Sequence, residues 1–261
     1  MKLEFFGAAR TVTGSCHMLT WENGSLLVDC GMRQGADAKG LYGEDTFPFD
    51  PKDICAVLLT HAHIDHSGLL PLLVKRGFSG PILCTDATAQ LSTIMLPDSA
   101  SIQQQDADWQ TRKNQRAGKP AVSPLYTLKD VDDTLRLYRG ISYNETVALF
   151  PDVRVRMQNI GHLLGSAVIE IWVNEQGKTT KIVFSGDVGR ADRPIIEDPA
   201  GIDTADYLVL EGTYGNRNHE LASDAAKENE LCNVLRGAIA RSGNIVMPSF
   251  AVGRTQEILY Y

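Results

Sequence analysis

The segment Thr60-His61-Ala62-His63-Ile64-Asp65-His66-Ser67-Gly68 gathers three of the chain's six histidines and one aspartate within six consecutive positions. Neutral imidazoles and a carboxylate held in a short loop suit zinc or a similar borderline divalent ion. The four side chains need not serve one ion: His61 and His63 suit a first metal, Asp65 and His66 a second about 3.5–4 Å away. Further ligands must come from distant sequence. His162 lies between Gly161 and Gly165, in a run that permits a tight loop beneath a ligand. Asp187, in Ser185-Gly186-Asp187-Val188-Gly189, has the same setting, and its carboxylate could bridge two ions. Two such ions acidify a shared water and clamp the oxygens of an ester or phosphodiester, with Asp65 in position to orient the hydroxide. Asp29 follows a strand-like run and reads either as a hydrogen-bond partner of a ligand imidazole or loop backbone, or as a plain turn aspartate before Cys30-Gly31. His17 and His219 lack ligand spacing and stay outside the metal set.

The elements around these residues must hold them at one edge of a sheet. Ile54 to Leu59 is a short apolar run of the kind that forms a strand buried on both faces. After His66, the stretch Leu69 to Val74 reads as a short buried helix, with Pro71 tolerable in its first turn and Gly77 ending it. The motif therefore lies on a loop at the carboxyl end of a central strand. Other strand-like runs also end in candidate site residues: Ser25 to Val28 before Asp29, Arg154 to Asn159 before His162, Lys181 to Phe184 before Asp187, and Tyr207 to Leu210 before Glu211. That pattern is expected when one edge of a sheet sandwich carries the site.

The stretch from Asp98 to Tyr138 differs. Ser101 to Arg116 is polar with helical propensity, Ala117-Gly118-Lys119-Pro120 breaks it, and Thr127 to Leu135 reads as a second helix capped by Thr127 with Asp130 at its third position. The pair is expected as a helical excursion between sheet halves. Its basic cluster, Arg112, Lys113, Arg116 and Lys119, could contact phosphates, but such a cluster is more often a solvated helix face. Gly243 to Pro248 is strand-like. Gly253 to Tyr261 starts a helix that no Gly, Asn or Pro closes, so the sequence reads as continuing past Tyr261.

Composition narrows the class. Hydrophobic residues at 43% and charged residues at 22% fit a soluble globular protein, and no apolar run approaches the roughly 20 residues that span a bilayer. Met1 to Gly7 reads as a first strand and not as a signal peptide. The five cysteines include no Cys-x-x-Cys pair, which favours reduced thiols in a cytoplasm-like compartment. A net charge of −7 argues against a basic, non-specific nucleic-acid binder while leaving room for a local phosphate grip.

With these residues in place, the chain resembles the metallo-β-lactamase superfamily, and within it the β-CASP branch of RNA-processing ribonucleases. The superfamily likeness rests on His61, His63, Asp65, His66, His162 and Asp187. The branch likeness rests on Gly7 to Cys16, Val28 to Gly35, Pro124 to Thr127, Phe184 to Arg190 and Leu210 to Arg217. The resemblance implies an α/β fold, an αββα sandwich over residues 1–210, followed at 211–261 by the start of a β-CASP domain. It implies two zinc ions: one held by His61, His63 and His162, the other by Asp65 and His66, with Asp187 bridging. Glu211 matches the acid that, in this branch, supports a histidine protonating the leaving oxygen, and Pro248 to Glu257 resembles the first β-CASP strand–helix unit. Gly212 stands where serine is usual. The implied activity is cleavage of RNA by a metal-activated hydroxide, with a homo-oligomer as an expected state. The other readings are a thioesterase or lactonase of the same fold, and a non-catalytic binding partner. Members of the branch supply later histidines to the second zinc site and to acid catalysis. None follows His219 here, so weak loading of the second zinc and little nuclease activity are expected of these residues alone.

Overall fold

The computed structural model describes residues 1–35, 46–216, 218 and 224–260. Within them the chain falls into two compact units, Met1–Glu211 and Gly212–Tyr261. In the first unit, six strands form one sheet in sequence order: β1 (Lys2–Gly7), β2 (Cys16–Trp21), β3 (Gly24–Val28), β4 (Ala56–Leu58), β5 (Ile82–Thr85) and β6 (Tyr138–Ile141). The pairs β1–β2 and β2–β3 are antiparallel, and β3 to β6 run parallel. A second sheet carries β7 (Thr146–Phe150), β8 (Val153–Asn159), β9 (Ala167–Glu175), β10 (Lys178–Phe184) and β11 (Tyr207–Val209). Its first four strands are antiparallel, and β11 lies parallel to β10 at the edge.

The two-residue period of the strands decides which side chains meet. Leu26, Val28, Ala56 and Leu58 point toward the second sheet and pack with Val155, Met157, Ile169, Ile171 and Phe184. Their neighbours Leu27, Val57 and Leu59 point outward and pack with Leu70 and Leu73. β4 is thus buried on both faces, as its apolar run implies. Leu58 is fully buried between the sheets, and truncating it to alanine would cost about 2–5 kcal/mol.

The helices of this unit lie in the chain alongside the first sheet: α1 (Ile64–Ser67), α2 (Leu70–Lys75), α3 (Asp86–Arg116) and α4 (Leu128–Leu135). α2 has Pro71 in its first turn, where a missing N–H costs nothing, and Gly77 follows at φ +110°. α4 carries the expected capping box: Thr127 accepts from the Asp130 amide while the Asp130 carboxylate accepts from the Thr127 amide. Two expectations need correction. α3 begins at Asp86, well before Ser101, and runs through Pro97. A proline removes a helical hydrogen bond, but Leu96 and Ala100 on either side are buried with Leu125, Tyr126 and Val131 and hold the helix through it. The excursion also falls between β5 and β6 of one sheet, not between the two sheets.

The second unit contains α5 (Asp224–Ala240) and α6 (Arg254–Tyr260). The strand expected at Gly243 to Pro248 is not formed. A strand needs a ladder partner, and the described residues of this unit include no strand for it to pair with. His219, Arg217 and Tyr261 lie outside the described residues. Among the described residues, no helix is long and apolar enough to cross a membrane.

Candidate metal centre

The histidine motif leaves β4 at Leu58 and turns into α1, so Asp65 and His66 sit on a single helical turn and not on the open loop expected from the sequence. The turn is fixed by the chain that follows β3 and by the residue just before β2. Cys30 N–H donates to the His66 carbonyl at 2.8 Å, Met32 N–H to that of Ile64 at 2.9 Å, and Ser15 N–H to that of Asp65 at 2.8 Å. This close approach requires Gly31, because a Cβ there would stand 1.6 Å from the Asp65 carbonyl oxygen. The same device joins the loops after β8 and β10. Gly189 N–H donates to the Ile160 carbonyl at 2.9 Å, and a Cβ on Gly189 would lie 1.7 Å from the Gly161 oxygen. His162 and Asp187 are carried to the motif in this way.

Four side chains converge there. His61, His63, His162 and Asp187 each present one donor atom, and these atoms all lie within 4.8 Å of one another. His63 Nδ1 is 3.1 Å from His61 Nε2 and 3.2 Å from His162 Nε2. Asp187 Oδ2 is 3.4 Å from His162 Nε2 and 3.8 Å from His61 Nε2. Four tetrahedral donors about 2.0–2.1 Å from a zinc-sized ion stand roughly 3.4 Å apart. The observed separations bracket that edge, so the donor set fits a metal ion.

The other oxygen of the same carboxylate looks elsewhere. Asp187 Oδ1 lies 3.2 Å from His66 Nε2, which is in turn 4.0 Å from Asp65 Oδ2. His66 Nδ1 is engaged from behind, 2.7 Å from Asp29 Oδ2. Asp29, buried and held at φ +62°, also accepts from the Thr60 amide at 2.8 Å and from the Thr60 hydroxyl at 2.9–3.0 Å. That hydroxyl is 3.0 Å from His61 Nδ1. A hydroxyl that donates to Asp29 can only accept from His61, which leaves the proton of His61 on Nδ1 and its Nε2 bare toward the cluster. Asp29 therefore orients two of the motif's imidazoles, one directly and one through Thr60.

The electrostatics agree with this division. Burial, and then the neighbouring imidazoles, push His61 far below the ordinary histidine value. Burial also takes His63 down to about 4 and lowers His162, so all three are neutral donors at pH 7, as metal binding requires. Burial opposes charge on His66 as well, but Asp29 and Asp187 outweigh it and raise its pKa well above the usual value. Burial likewise opposes the charge of Asp187, and His66 foremost overcomes it, leaving this carboxyl below its ordinary value. Asp65 is raised, chiefly by burial.

Glu211 follows β11, as Asp187 follows β10, and the two strands are adjacent and parallel. Its amide donates to Ser185 Oγ at 3.0 Å, and its side chain is partly exposed. It is not one of the four converging donors. Reading the sequence for ligand spacing passed over Thr60, Ser15 and His17. Thr60 carried one signal, its place at the strand end beside His61.

The family profile described as "Metallo-beta-lactamase superfamily" matches residues 9–227. Ribonuclease TTHA0252 of Thermus thermophilus is 36% identical over 260 residues, a match covering 100% of this chain and 54% of that protein. Transcription termination factor FttA of Methanosarcina mazei is 31% identical over 264 residues, covering 99% of this chain and 38% of the factor. The chain thus spans about half the length of the first relative and under two fifths of the second. Among solved structures, that of the metallo-beta-lactamase SMB-1 bound to 2-mercaptoethanesulfonate superposes on 70% of this chain and 63% of its own, with a TM-score of 0.41 and 22% identity.

Proposed function

The chain belongs to the metallo-beta-lactamase superfamily, and from that premise we propose that it is the catalytic lobe of a zinc-dependent ribonuclease of the β-CASP type, hydrolysing RNA phosphodiester bonds. The observation that carries the reading is the divided carboxylate of Asp187, one oxygen toward His61 and His162 and the other toward His66. One carboxylate serving two donor sets supports a two-ion site, and the ribonuclease relative matched along the whole chain supports RNA as the substrate.

In this reading His61, His63 and His162 would hold one zinc ion, Asp65 and His66 would hold a second, and Asp187 would contribute a carboxylate oxygen to each. When bound, such a pair lowers the pKa of water toward neutrality and neutralises charge on a phosphodiester. The chain's own residues supply donors, orientation and proton sites. His61, His63 and His162 stay neutral, Asp29 and Thr60 aim the rings of His66 and His61, and Asp65 beside His66 is assigned to orient the attacking water. Glu211, at the end of the next strand, is assigned to support protonation of the leaving oxygen. Free thiols at all five cysteines support a cytoplasm-like compartment. Exposed Tyr207, Leu208 and Leu210 at the β11 edge support self-association, which sedimentation would test.

The test of function is direct. The purified chain is loaded with zinc, its metal content measured, and labelled RNA compared with a thioester panel, with Asp65→Ala and Asp187→Ala as controls. Weak cleavage of RNA that both substitutions abolish is the expected result. RNA cleavage surviving both would sink the proposal. Thioester turnover without RNA cleavage would transfer the site to a small-substrate hydrolase, and a chain binding neither zinc nor manganese would remove the enzymatic reading altogether.

A further inference from the structure

Beyond Asp29 lies a polar chain that ligand spacing does not explain. His17, on β2, is buried with its ring stacked on Phe184 at 5.9 Å and met edge-on by Phe5 at 5.1 Å. Its Nε2 is 3.2 Å from Ser15 Oγ, which is 3.4 Å from Asp29 Oδ2. Its Nδ1 is buried and has no hydrogen-bond partner. Ser15 is also the residue whose amide holds the Asp65 carbonyl and whose carbonyl accepts from Gly31 at 2.8 Å.

Two arrangements of protons are open to this chain, and they are not equivalent. With the proton on Nδ1, His17 would bury an unpaired N–H between two phenyl rings. Its bare Nε2 would draw the Ser15 hydroxyl away from Asp29. With the proton on Nε2, His17 donates to Ser15 Oγ, and the hydroxyl must donate onward to Asp29. Only an acceptor lone pair is then left unmatched, and orphaned acceptors are tolerated better than orphaned N–H groups.

We propose that Ser15 and His17 are positioning residues: His17 Nε2–H turns the Ser15 hydroxyl onto Asp29 Oδ2, and this fourth donor fixes the carboxylate that orients His66 and, through Thr60, His61. Asp29 then receives the Thr60 amide, the Thr60 hydroxyl, the Ser15 hydroxyl and the His66 ring. These four donors fill the sites a carboxylate offers and leave it no freedom to rotate. The proposal rests on the two-ion reading above.

The test has two parts. In histidine-labelled, metal-free chain, the two-bond proton–nitrogen spectrum at neutral pH should show His17 as the Nε2–H tautomer. Zinc affinity, read by competition with a chelator, should fall about 10–100-fold in Ser15→Ala and in His17→Phe, as for partners of metal ligands generally. His17→Phe keeps the ring packing and removes the donor, whereas His17→Gln returns an N–H near the Nε2 position and should restore affinity. The double variant Ser15→Ala/His17→Phe should lose no more than either alone, since both break one chain. An Nδ1–H or doubly protonated His17, parental zinc affinity in Ser15→Ala, or losses that add in the double variant would overturn the proposal. If His17→Phe does not fold, the tautomer spectrum and Ser15→Ala decide it. A parent chain that binds no zinc would overturn the two-ion reading instead, so the two failures are distinguishable.

Discussion

Replacing Asp29 by asparagine should disable half of the metal centre without touching a metal ligand. The carboxylate accepts at both oxygens: Oδ1 from the Thr60 amide at 2.8 Å, Oδ2 from His66 Nδ1 at 2.7 Å. An amide has one acceptor and one donor end. With its oxygen kept on the Thr60 amide, its NH2 faces His66 Nδ1 and forces the ring proton onto Nε2, the atom 3.2 Å from Asp187 Oδ1. A ring nitrogen that carries a proton cannot bind a metal. With the amide flipped, the clash moves to the Thr60 N–H, and His61 loses its orientation through the same threonine. Losing charge-assisted hydrogen bonds of this kind costs about 1.5–3 kcal/mol, or roughly 3–12 °C of melting temperature for a unit of this size. Affinity for the ion at His66 should fall about 10–100-fold. Zinc titration against a chelator, paired with thermal unfolding in the metal-free state, measures both. Unchanged zinc affinity together with a melting temperature within about 1 °C of the parent would refute the reasoning that Asp29 sets the tautomers.

Other consequences follow from the same geometry. Gly31→Ala should displace α1, because its Cβ would collide with the Asp65 carbonyl, and zinc content should drop even where circular dichroism shows a folded chain. Binding of the ion at His66 should release a proton near neutral pH, since Asp29 and Asp187 hold that ring protonated in the metal-free chain. Calorimetry in buffers of different ionisation enthalpy would detect it, and affinity should rise with pH. Glu170, buried on β9, accepts from Gln158 at 2.8 Å and pairs with Arg156 and Lys181, each at 2.5 Å. Burial opposes its charge, but these partners outweigh it and hold its pKa below the ordinary 4.5. Its stabilisation is therefore complete above that value and is lost as pH falls through the lower folded-state value. Glu170→Gln should cost about 2–3 kcal/mol at pH 7, toward the low end for a buried pair because Arg156 is a third exposed. The difference from the parent should shrink as pH falls below the ordinary 4.5. Thr127→Ala should cost about 1 kcal/mol by removing the α4 cap, measurable as a shift in urea midpoint.

Much of the framework was legible because it is local. Leu58 and its neighbours form a short apolar run of the kind that makes a buried strand, Pro71 and Gly77 bracket α2, and Thr127 with Asp130 announces α4. The convergence of His61, His63, His162 and Asp187 was legible through strand ends flanked by glycines. What stayed hidden depends on contacts distant in sequence. That Asp29 could hold a ligand imidazole or loop backbone is one of its two readings. That the imidazole is His66, 37 residues on, and the backbone Thr60, 31 residues on, follows from no local pattern, nor does the threonine hydroxyl that reaches His61. His17 carries no ligand spacing, and its place becomes visible only when Ser15 and Asp29 are brought beside it. Glu170 sits in an apolar run on β9 and looks like an exposed face residue until Arg156 and Lys181 arrive from neighbouring strands. The strand expected at Gly243 to Pro248 failed for the complementary reason, since the described residues of its unit offer no strand for it to pair with.

The central claim is that this cluster is a metal site organised around Asp187. Anomalous diffraction at the zinc edge, from crystals of the zinc-loaded chain, tests it most directly. The expected result is a peak bound by His61 Nε2, His63 Nδ1, His162 Nε2 and Asp187 Oδ2, with a second, weaker peak between Asp187 Oδ1, His66 Nε2 and Asp65. Zinc found only at other residues, or no peak within the cluster at saturating zinc, would contradict it.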